Sequence, residues 1–380
     1  MRERGKRFFG LSSLLVLLCA QAHGEAPTSL AWTNISSGTL SVSWDGHTDA
    51  AAYIAVLSSA PDFIATIASG TTPVNEQTTS YMLLEPNTTH YFKVKVSSDA
   101  DVQYSQVLST YTLSLPPAQM LPEALAVNIT SVTMQWAAMP VAPASMSASG
   151  YSFEASTTGF DGTGLLISTQ TASLYLSTLT VMSPALTANT TYHFRVGSLN
   201  VLAVLNYRSL PSVATLAFPP SPVGFTGVYP SSINVSWDLT GGSAYGFKVE
   251  ASSTGFDGTG TVYASATYAG SLRSLYVTDL DADTTYYFQV ASLNHGGVYS
   301  YADFASTATL ANAPLAPIVT AIGLSSMTIA WTAPAGGLQG YQIIASSTDF
   351  DGLSVVYSTM TSDTGAASLA FENLAPNTSY

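Results

Sequence analysis

The sequence has almost no cysteine. Its one cysteine among 380 residues is Cys19, and it lies in an N-terminal segment with the layout of a secretory signal. The mature chain therefore has no thiol for a disulfide bond, a metal–thiolate site or a nucleophile. Its domains have to be stabilised by core packing alone. Secretion without cysteines favours a bacterial rather than an animal extracellular protein.

Charge is also scarce, and basic charge most of all. Charged residues make up 9% of the chain and hydrophobic residues 47%, a balance that excludes intrinsic disorder. The sequence has 10 Lys and Arg against 23 Asp and Glu, with a formal net charge of −13. A chain this acidic lacks the basic patches that follow a phosphate backbone, so nucleic acid is excluded as a partner.

The first 24 residues are predicted to be a signal peptide. Basic residues at positions 2–7 precede an apolar run, Phe8–Ala20, and the small residues Ala22 and Gly24 stand at the −3 and −1 positions of a cleavage site before Glu25. The run is too short to span a bilayer comfortably, although a membrane anchor is the competing interpretation. The mature chain is expected to be secreted, extracellular or at the cell surface, with no transmembrane segment.

An alternation of apolar and polar residues that ends in tryptophan recurs four times. Successive side chains of a strand point to opposite faces, so each copy predicts a strand with one apolar face. The tryptophans are 92, 101 and 94 residues apart, a spacing that fits one β-sandwich domain per repeat. They are Trp44, Trp136, Trp237 and Trp331.

A second motif keeps the same period. It combines a leucine, a turn rich in Pro, Asn and Asp, and a tyrosine that opens a new strand. Three copies are Leu186–Tyr192, Leu280–Tyr286 and Leu374–Tyr380. The first copy, Leu84–His90, departs from the pattern because a histidine replaces the tyrosine.

These two motifs together resemble the pattern of fibronectin type III domains, in four copies over the mature chain. The resemblance implies an all-β fold of tandem immunoglobulin-like Greek-key sandwiches, with seven strands in two sheets and the four tryptophans in the core. It also implies that Tyr192, Tyr286 and Tyr380 form tyrosine corners, in which the hydroxyl bonds back to the backbone. The first domain, with His90 at this position, is expected to be the weakest.

Proline-rich seams separate the copies. They lie at 115–117, 219–220 and 314–317. Proline cannot donate a ladder hydrogen bond, so no strand runs from one domain into the next, and the short linkers predict a semi-rigid string. The predicted domains cover residues 25–115, 116–218, 219–313 and 314–380. The fourth is expected to be incomplete, without its last two strands, which indicates a fragment of a longer chain.

Motif searches give no catalytic, cofactor or metal site. Histidines 47, 90, 193 and 295 are isolated in the sequence, and the many serines include no G-x-S-x-G elbow. Asp349 and Asp351 flank Phe350 in an Asp-Gly turn, but a turn with one or two carboxylates is far from the six to eight oxygens that calcium prefers. The residues given are predicted not to be an enzyme.

The sequence favours a non-catalytic extracellular interaction or spacer array, either an adhesin stalk or a surface scaffold, whose ligand is a protein or a glycan. One alternative makes the domains accessory modules of a larger secreted enzyme, such as a polysaccharide hydrolase with its catalytic domain beyond residue 380. Direct carbohydrate binding by the repeats is a third, weaker interpretation.

Overall fold

The computed structural model describes residues 26–47, 50–98, 103–352 and 355–380. The predicted signal peptide and its cleavage site lie outside these residues. The described residues form 26 β-strands, all paired antiparallel, and one short 3-10 turn at Ala144–Met146. The all-β prediction of tandem immunoglobulin-like sandwiches is confirmed. We number the successive sandwiches units 1 to 4.

Unit 1 has seven strands in two sheets. They are β1 (Ala31–Ile35), β2 (Leu40–Ser43), β3 (Ala52–Ser58), β4 (Thr66–Pro73), β5 (Thr78–Tyr81), β6 (Thr89–Val96) and β7 (Leu108–Tyr111). One sheet has the order β1-β2-β5 and the other β4-β3-β6-β7. Because β3 pairs with β6 and β2 with β5, the chain crosses between the sheets.

Unit 2 repeats this arrangement. Its strands are β8 (Ala124–Val127), β9 (Val132–Gln135), β10 (Gly150–Ser156), β11 (Leu166–Thr171), β12 (Thr178–Val181), β13 (Thr191–Leu199) and β14 (Leu205–Ala214). The sheets have the orders β8-β9-β12 and β11-β10-β13-β14. The first proline-rich seam lies between β7 and β8, outside both ladders.

Unit 3 has the same two sheets, and unit 4 has the corresponding first five strands. Unit 3 consists of β15 (Ser221–Val228), β16 (Ser232–Asp238), β17 (Gly246–Ser252), β18 (Val262–Thr267), β19 (Ser274–Thr278), β20 (Thr285–Leu293) and β21 (Tyr299–Ala308). Unit 4 consists of β22 (Leu315–Ile322), β23 (Met327–Thr332), β24 (Tyr341–Ser346), β25 (Val356–Thr361) and β26 (Ser368–Phe371).

Each unit buries its repeat tryptophan between the sheets. The exposed fractions are 4% for Trp44, 0% for Trp136, 1% for Trp237 and 8% for Trp331. Each indole packs against the aromatic residue at or near the start of the facing strand, with ring centroids 4.8 to 5.6 Å apart. An indole buries a large apolar area, so this pair provides much of the core of each sandwich.

The motif tyrosines bond back to the turn that precedes them. The Tyr192 hydroxyl accepts a hydrogen bond from the Thr187 backbone N–H at 2.9 Å. Tyr286 accepts from Asp281 at 2.9 Å, and Tyr380 from Ala375 at 2.8 Å. This is the geometry of a tyrosine corner, and it gives a partner to a backbone donor that the sheet ladder does not use.

In unit 1 the corner position holds His90, which is buried. Its Nε2 lies 3.1 Å from the Thr88 hydroxyl. Burial lowers the pKa of His90, because removal from water disfavours the imidazolium form, and a contact with the Glu85 backbone opposes this only in part. The folded unit therefore holds this histidine neutral at a pH where the unfolded chain is already protonated.

Unit 1 is expected to lose stability as the pH falls below about 6.5, the ordinary histidine pKa. With a lower folded pKa, the unfolded state binds more protons below that value, so acid favours unfolding until the folded pKa is reached. Hydrogen exchange of β3 and β6 in the full chain at pH 7.5 and 5.5 measures the effect. A His90→Tyr variant should remove most of this pH dependence, and an unchanged pH dependence in that variant would contradict the assignment to His90.

Candidate interaction faces

The four-stranded sheets of units 1 to 3 turn one face to the core and one outward. The outward faces carry four of the six basic side chains of the described residues: Lys93 and Lys95 on β6, Arg195 on β13 and Lys248 on β17. In each of these three units a cation lies against one or more aromatic rings. We call the outward faces of the three four-stranded sheets the cation faces.

The cation face of unit 2 is an ion pair enclosed by two rings. Arg195 Nε and Nη2 lie 2.8 and 2.7 Å from Glu154 Oε2. Its guanidinium lies 3.7 Å from the Tyr207 ring centroid and 4.1 Å from that of Phe160. The Tyr207 hydroxyl donates to Glu154 Oε1 at 2.6 Å, and burial together with the Glu154 carboxylate raises the pKa of Tyr207 to about 12.

Unit 3 places a carboxylate at the same register. Glu250 pairs with Gln289 across β17 and β20, as Glu154 does with Arg195 across β10 and β13. Gln289 Nε2 donates to Glu250 Oε2 at 2.5 Å, and Lys248 forms an ion pair with Glu250. The hydrogen bond to Glu250 raises the pKa of Lys248.

Unit 1 has a valine at the position that holds this carboxylate in units 2 and 3. Val56 stands opposite Lys93, and the Lys93 ammonium lies 4.1 Å from the Phe63 ring centroid and 4.2 Å from that of Tyr104. Cation–π attraction of this kind holds a long side chain flat on the sheet. The three cation faces are ordered, polar–aromatic surfaces, and in units 2 and 3 the carboxylates already have internal partners.

The aspartates of the Asp-Gly turns in units 2 and 3 also have internal partners, which are hydrogen-bond donors of the same turn. Asp161 Oδ1 accepts from the Thr158 hydroxyl at 2.6 Å, from the Thr163 N–H at 2.9 Å and from the Thr163 hydroxyl at 2.8 Å. These hydrogen bonds lower the pKa of Asp161 to about 2, and the corresponding bonds from Thr259 and Thr254 lower the pKa of Asp257. The bonds give these carboxylates a local structural role in closing the turn.

No three His, Cys, Asp or Glu side chains in the described ranges lie close enough together to hold a metal ion. The isolated histidines have local partners; for example, His193 Nδ1 lies 2.8 Å from the Ser212 hydroxyl. Nor do the described residues include a helix with the length and apolar character of a membrane span. Among the described residues, one shallow groove of about 260 Å³ lies beside Tyr380 and another of about 530 Å³ lies beside Asn312.

Unit 3 also displays tyrosines on its surface. Tyr245, Tyr268 and His295 form one cluster, with ring centroids 5.7 and 5.2 Å apart, and Tyr229 and Tyr276 form a pair at 6.3 Å. Tyr268 is 75% exposed. The repeated sequence motifs do not predict these rings, because the rings lie outside the repeated positions. In β19 the sequence does predict an exposed ring, because Tyr276 stands between two apolar residues and so points to the face opposite theirs.

The linkers are held by the unit that follows them. The Ser198 hydroxyl of β13 donates to the Leu115 carbonyl at 2.6 Å, and the Ser292 hydroxyl of β20 donates to the Phe218 carbonyl at 2.7 Å. Both serines are fully buried. The first seam also receives a bond from Asn206, whose Nδ2 donates to the Ser114 carbonyl at 2.7 Å. The chain between units is therefore bound to folded structure, as a semi-rigid string requires.

The two-sheet sandwich described above is also the fold of a known protein family that part of the chain matches. The model of the fibronectin type III domain matches residues 218–307 and 312–380. The chain carries tandem fibronectin type III domains. The matched ranges correspond to units 3 and 4, and unit 1 and unit 2 repeat the strand order and pairings of unit 3. No curated protein matches the chain.

Solved structures with similar domains include two from chicken. The crystal structure of the CNTN1 FN1–FN3 domains is 13% identical, with 76% of this fibronectin type III chain and 99% of that chain covered, at a TM-score of 0.27. A segment of two fibronectin type III domains from tenascin is 16% identical, with 51% of this chain and 99% of that one covered, at a TM-score of 0.34.

Proposed function

We propose that this protein is a non-catalytic extracellular array of fibronectin type III domains that acts as an adhesin stalk or surface scaffold. The observation that carries the proposal is the attachment of each of the first two linkers to the next unit, through Ser198 and Ser292. Linkers bound in this way restrict the motion of successive sandwiches, and a string of sandwiches with restricted motion sets a distance between its two ends.

The cation faces and the exposed tyrosines of unit 3 supply contact surfaces along the array. Tyrosine and arginine are enriched where proteins bind partners, because they combine apolar area with hydrogen-bonding groups. The partner is a protein or a glycan. The acidic balance of the chain disfavours nucleic acid, and the internal partners of Glu154 and Glu250 support a structural role for these two carboxylates.

Two measurements test this proposal. Expression of the 380-residue chain in a secreting bacterial host should give exported protein that begins at Glu25, as read by mass spectrometry. Protein kept in the cytoplasm with residues 1–24 attached would contradict an extracellular role.

The second measurement determines how far the array extends from a surface. The array is attached to a flat support through its N-terminal end, and its height is measured by neutron reflectometry. In-frame removal of residues 116–218 should lower the height by about 30 Å, the length of a strand of about nine residues. An unchanged height would mean that the units fold back on one another, and the spacer role would be wrong.

A further inference from the structure

Two asparagines are buried where unit 1 meets unit 2. Asn87 lies in the turn before β6 and Asn200 in the turn between β13 and β14, with exposed fractions of 5% and 1%. Asn87 has a left-handed backbone, with φ at 50°, which asparagine tolerates better than most residues. Buried amides require hydrogen-bond partners, and the partners of these two lie partly in the neighbouring unit.

Asn87 of unit 1 bonds to two separate loops of unit 2. Its Oδ1 accepts from the Val201 N–H at 3.2 Å. Its Nδ2 donates to the carbonyls of Ala144 and Ser147 at 3.2 and 3.3 Å. One side chain thus uses both its acceptor and its donor across the unit boundary. Contacts to two loops resist rotation, which a single bond would allow.

Asn200 reaches back in the opposite direction. Its Nδ2 donates to the Thr112 carbonyl of unit 1 at 3.3 Å. Its Oδ1 accepts from the N–H groups of Leu202 and Val204 at 3.0 and 2.9 Å, within its own turn. The oxygen of Asn200 therefore shapes the turn, while the amide nitrogen joins the units.

The boundary between units 2 and 3 has the same arrangement. Asn189 Oδ1 accepts from the His295 N–H at 2.8 Å, and its Nδ2 donates to the Ser243 hydroxyl at 3.2 Å. Asn294 Nδ2 donates to the carbonyls of Ala214 and Thr215 at 3.1 and 3.0 Å. Asn189 and Asn294 are buried like their counterparts, and the φ of Asn189 is 48°.

The boundary between units 3 and 4 has an aspartate in place of the first asparagine. Asp283 occupies the position of Asn87 and Asn189, with φ at 52°. A carboxylate accepts hydrogen bonds and cannot donate them when ionised. Asp283 Oδ2 accepts from the Gln339 side chain at 3.1 Å. The natural sequence thus shows that aspartate fits this turn, which makes aspartate the variant that removes the donor and preserves the turn.

We propose that Asn87 with Asn200, and Asn189 with Asn294, form reciprocal latches that fix the orientation of units 1, 2 and 3. The surface is the end of a sandwich, and its partner is the next fibronectin type III unit of the same chain. The latch needs an amide at both positions because each amide has to donate across the boundary. Its existence is independent of the role proposed for the array.

The test measures the orientation of units 2 and 3 in the full chain with Cys19→Ser. Spin labels are attached at Ser168→Cys on β11 and Ala264→Cys on β18, which are exposed and occupy equivalent registers. In the parent, the electron–electron distance distribution should be narrow. Asn189→Asp should broaden it at least two-fold, because the donor to Ser243 is lost and a charge is buried at the boundary.

Two further variants keep the test decisive if Asn189→Asp perturbs unit 2 itself. Asn294→Asp retains the oxygen that shapes its own turn and loses only the donor to unit 2, and it should broaden the distribution equally. Asn128→Asp introduces the same charge at an exposed position of unit 2 and should leave the distribution unchanged. A parent distribution that is already broad, or a narrow one in both boundary variants, would overturn the proposal.

Discussion

Replacing Trp136 with alanine is expected to destabilise unit 2 by about 3–5 kcal/mol. The indole is fully buried, and its ring centroid lies 5.3 Å from that of Tyr151 and 6.4 Å from that of Phe153. Alanine would leave a cavity between two sheets whose strands cannot move together without breaking ladder hydrogen bonds. A loss of this size approaches the whole stability of a typical small domain, so unit 2 should be largely unfolded.

Units 1 and 3 should remain folded in this variant, because each has a separate cluster of buried residues around its own tryptophan. Hydrogen exchange read by mass spectrometry assigns the opening to a unit. Tyr175→Ala is the control, since Tyr175 belongs to unit 2 and is 83% exposed, and it should change stability by less than about 0.5 kcal/mol. Cooperative unfolding of the whole array by Trp136→Ala would contradict independent cores.

The buried positions could be predicted from the sequence because local rules determine them. Alternation with a period of two places Val132 and Met134 on one face of β9, and Trp136, the next residue after the strand, continues that face. Repetition at about a hundred residues then identifies the unit, and the motif tyrosine marks the turn before β13. Each inference needs only residues that are close together in the sequence.

The contact surfaces could not be predicted in this way. Arg195 meets Glu154 because β10 and β13 pair in one particular register, 41 residues apart in sequence. The sequence shows Asn189 only as a turn residue. Its role at the boundary depends on the turn lying at the end of a sandwich, beside Ser243 and His295 of the next unit. Such pairings follow from the assembled fold, and no single strand or turn contains them.

The ion pair of unit 2 gives the second large expected effect. Glu154→Ala should cost about 2–4 kcal/mol, less than the loss of one partner of a fully buried pair because the Arg195 side chain is 26% exposed. The variant leaves the guanidinium between two rings without its carboxylate and removes the acceptor of the Tyr207 hydroxyl. The free energy of unfolding of unit 2, obtained from hydrogen exchange in the full chain, measures the loss.

A double-mutant cycle separates the ion pair from the packing. Arg195→Ala removes the cation, and the double variant should lose less than the sum of the two single losses, with a coupling of about 1–3 kcal/mol. Glu154→Val provides a control from within the molecule, because unit 1 has Val56 opposite Lys93, and Lys93 lies against the rings of Phe63 and Tyr104. Glu154→Val should therefore cost less than Glu154→Ala. Equal losses for valine and alanine, with no coupling in the cycle, would mean that the carboxylate does not stabilise this face.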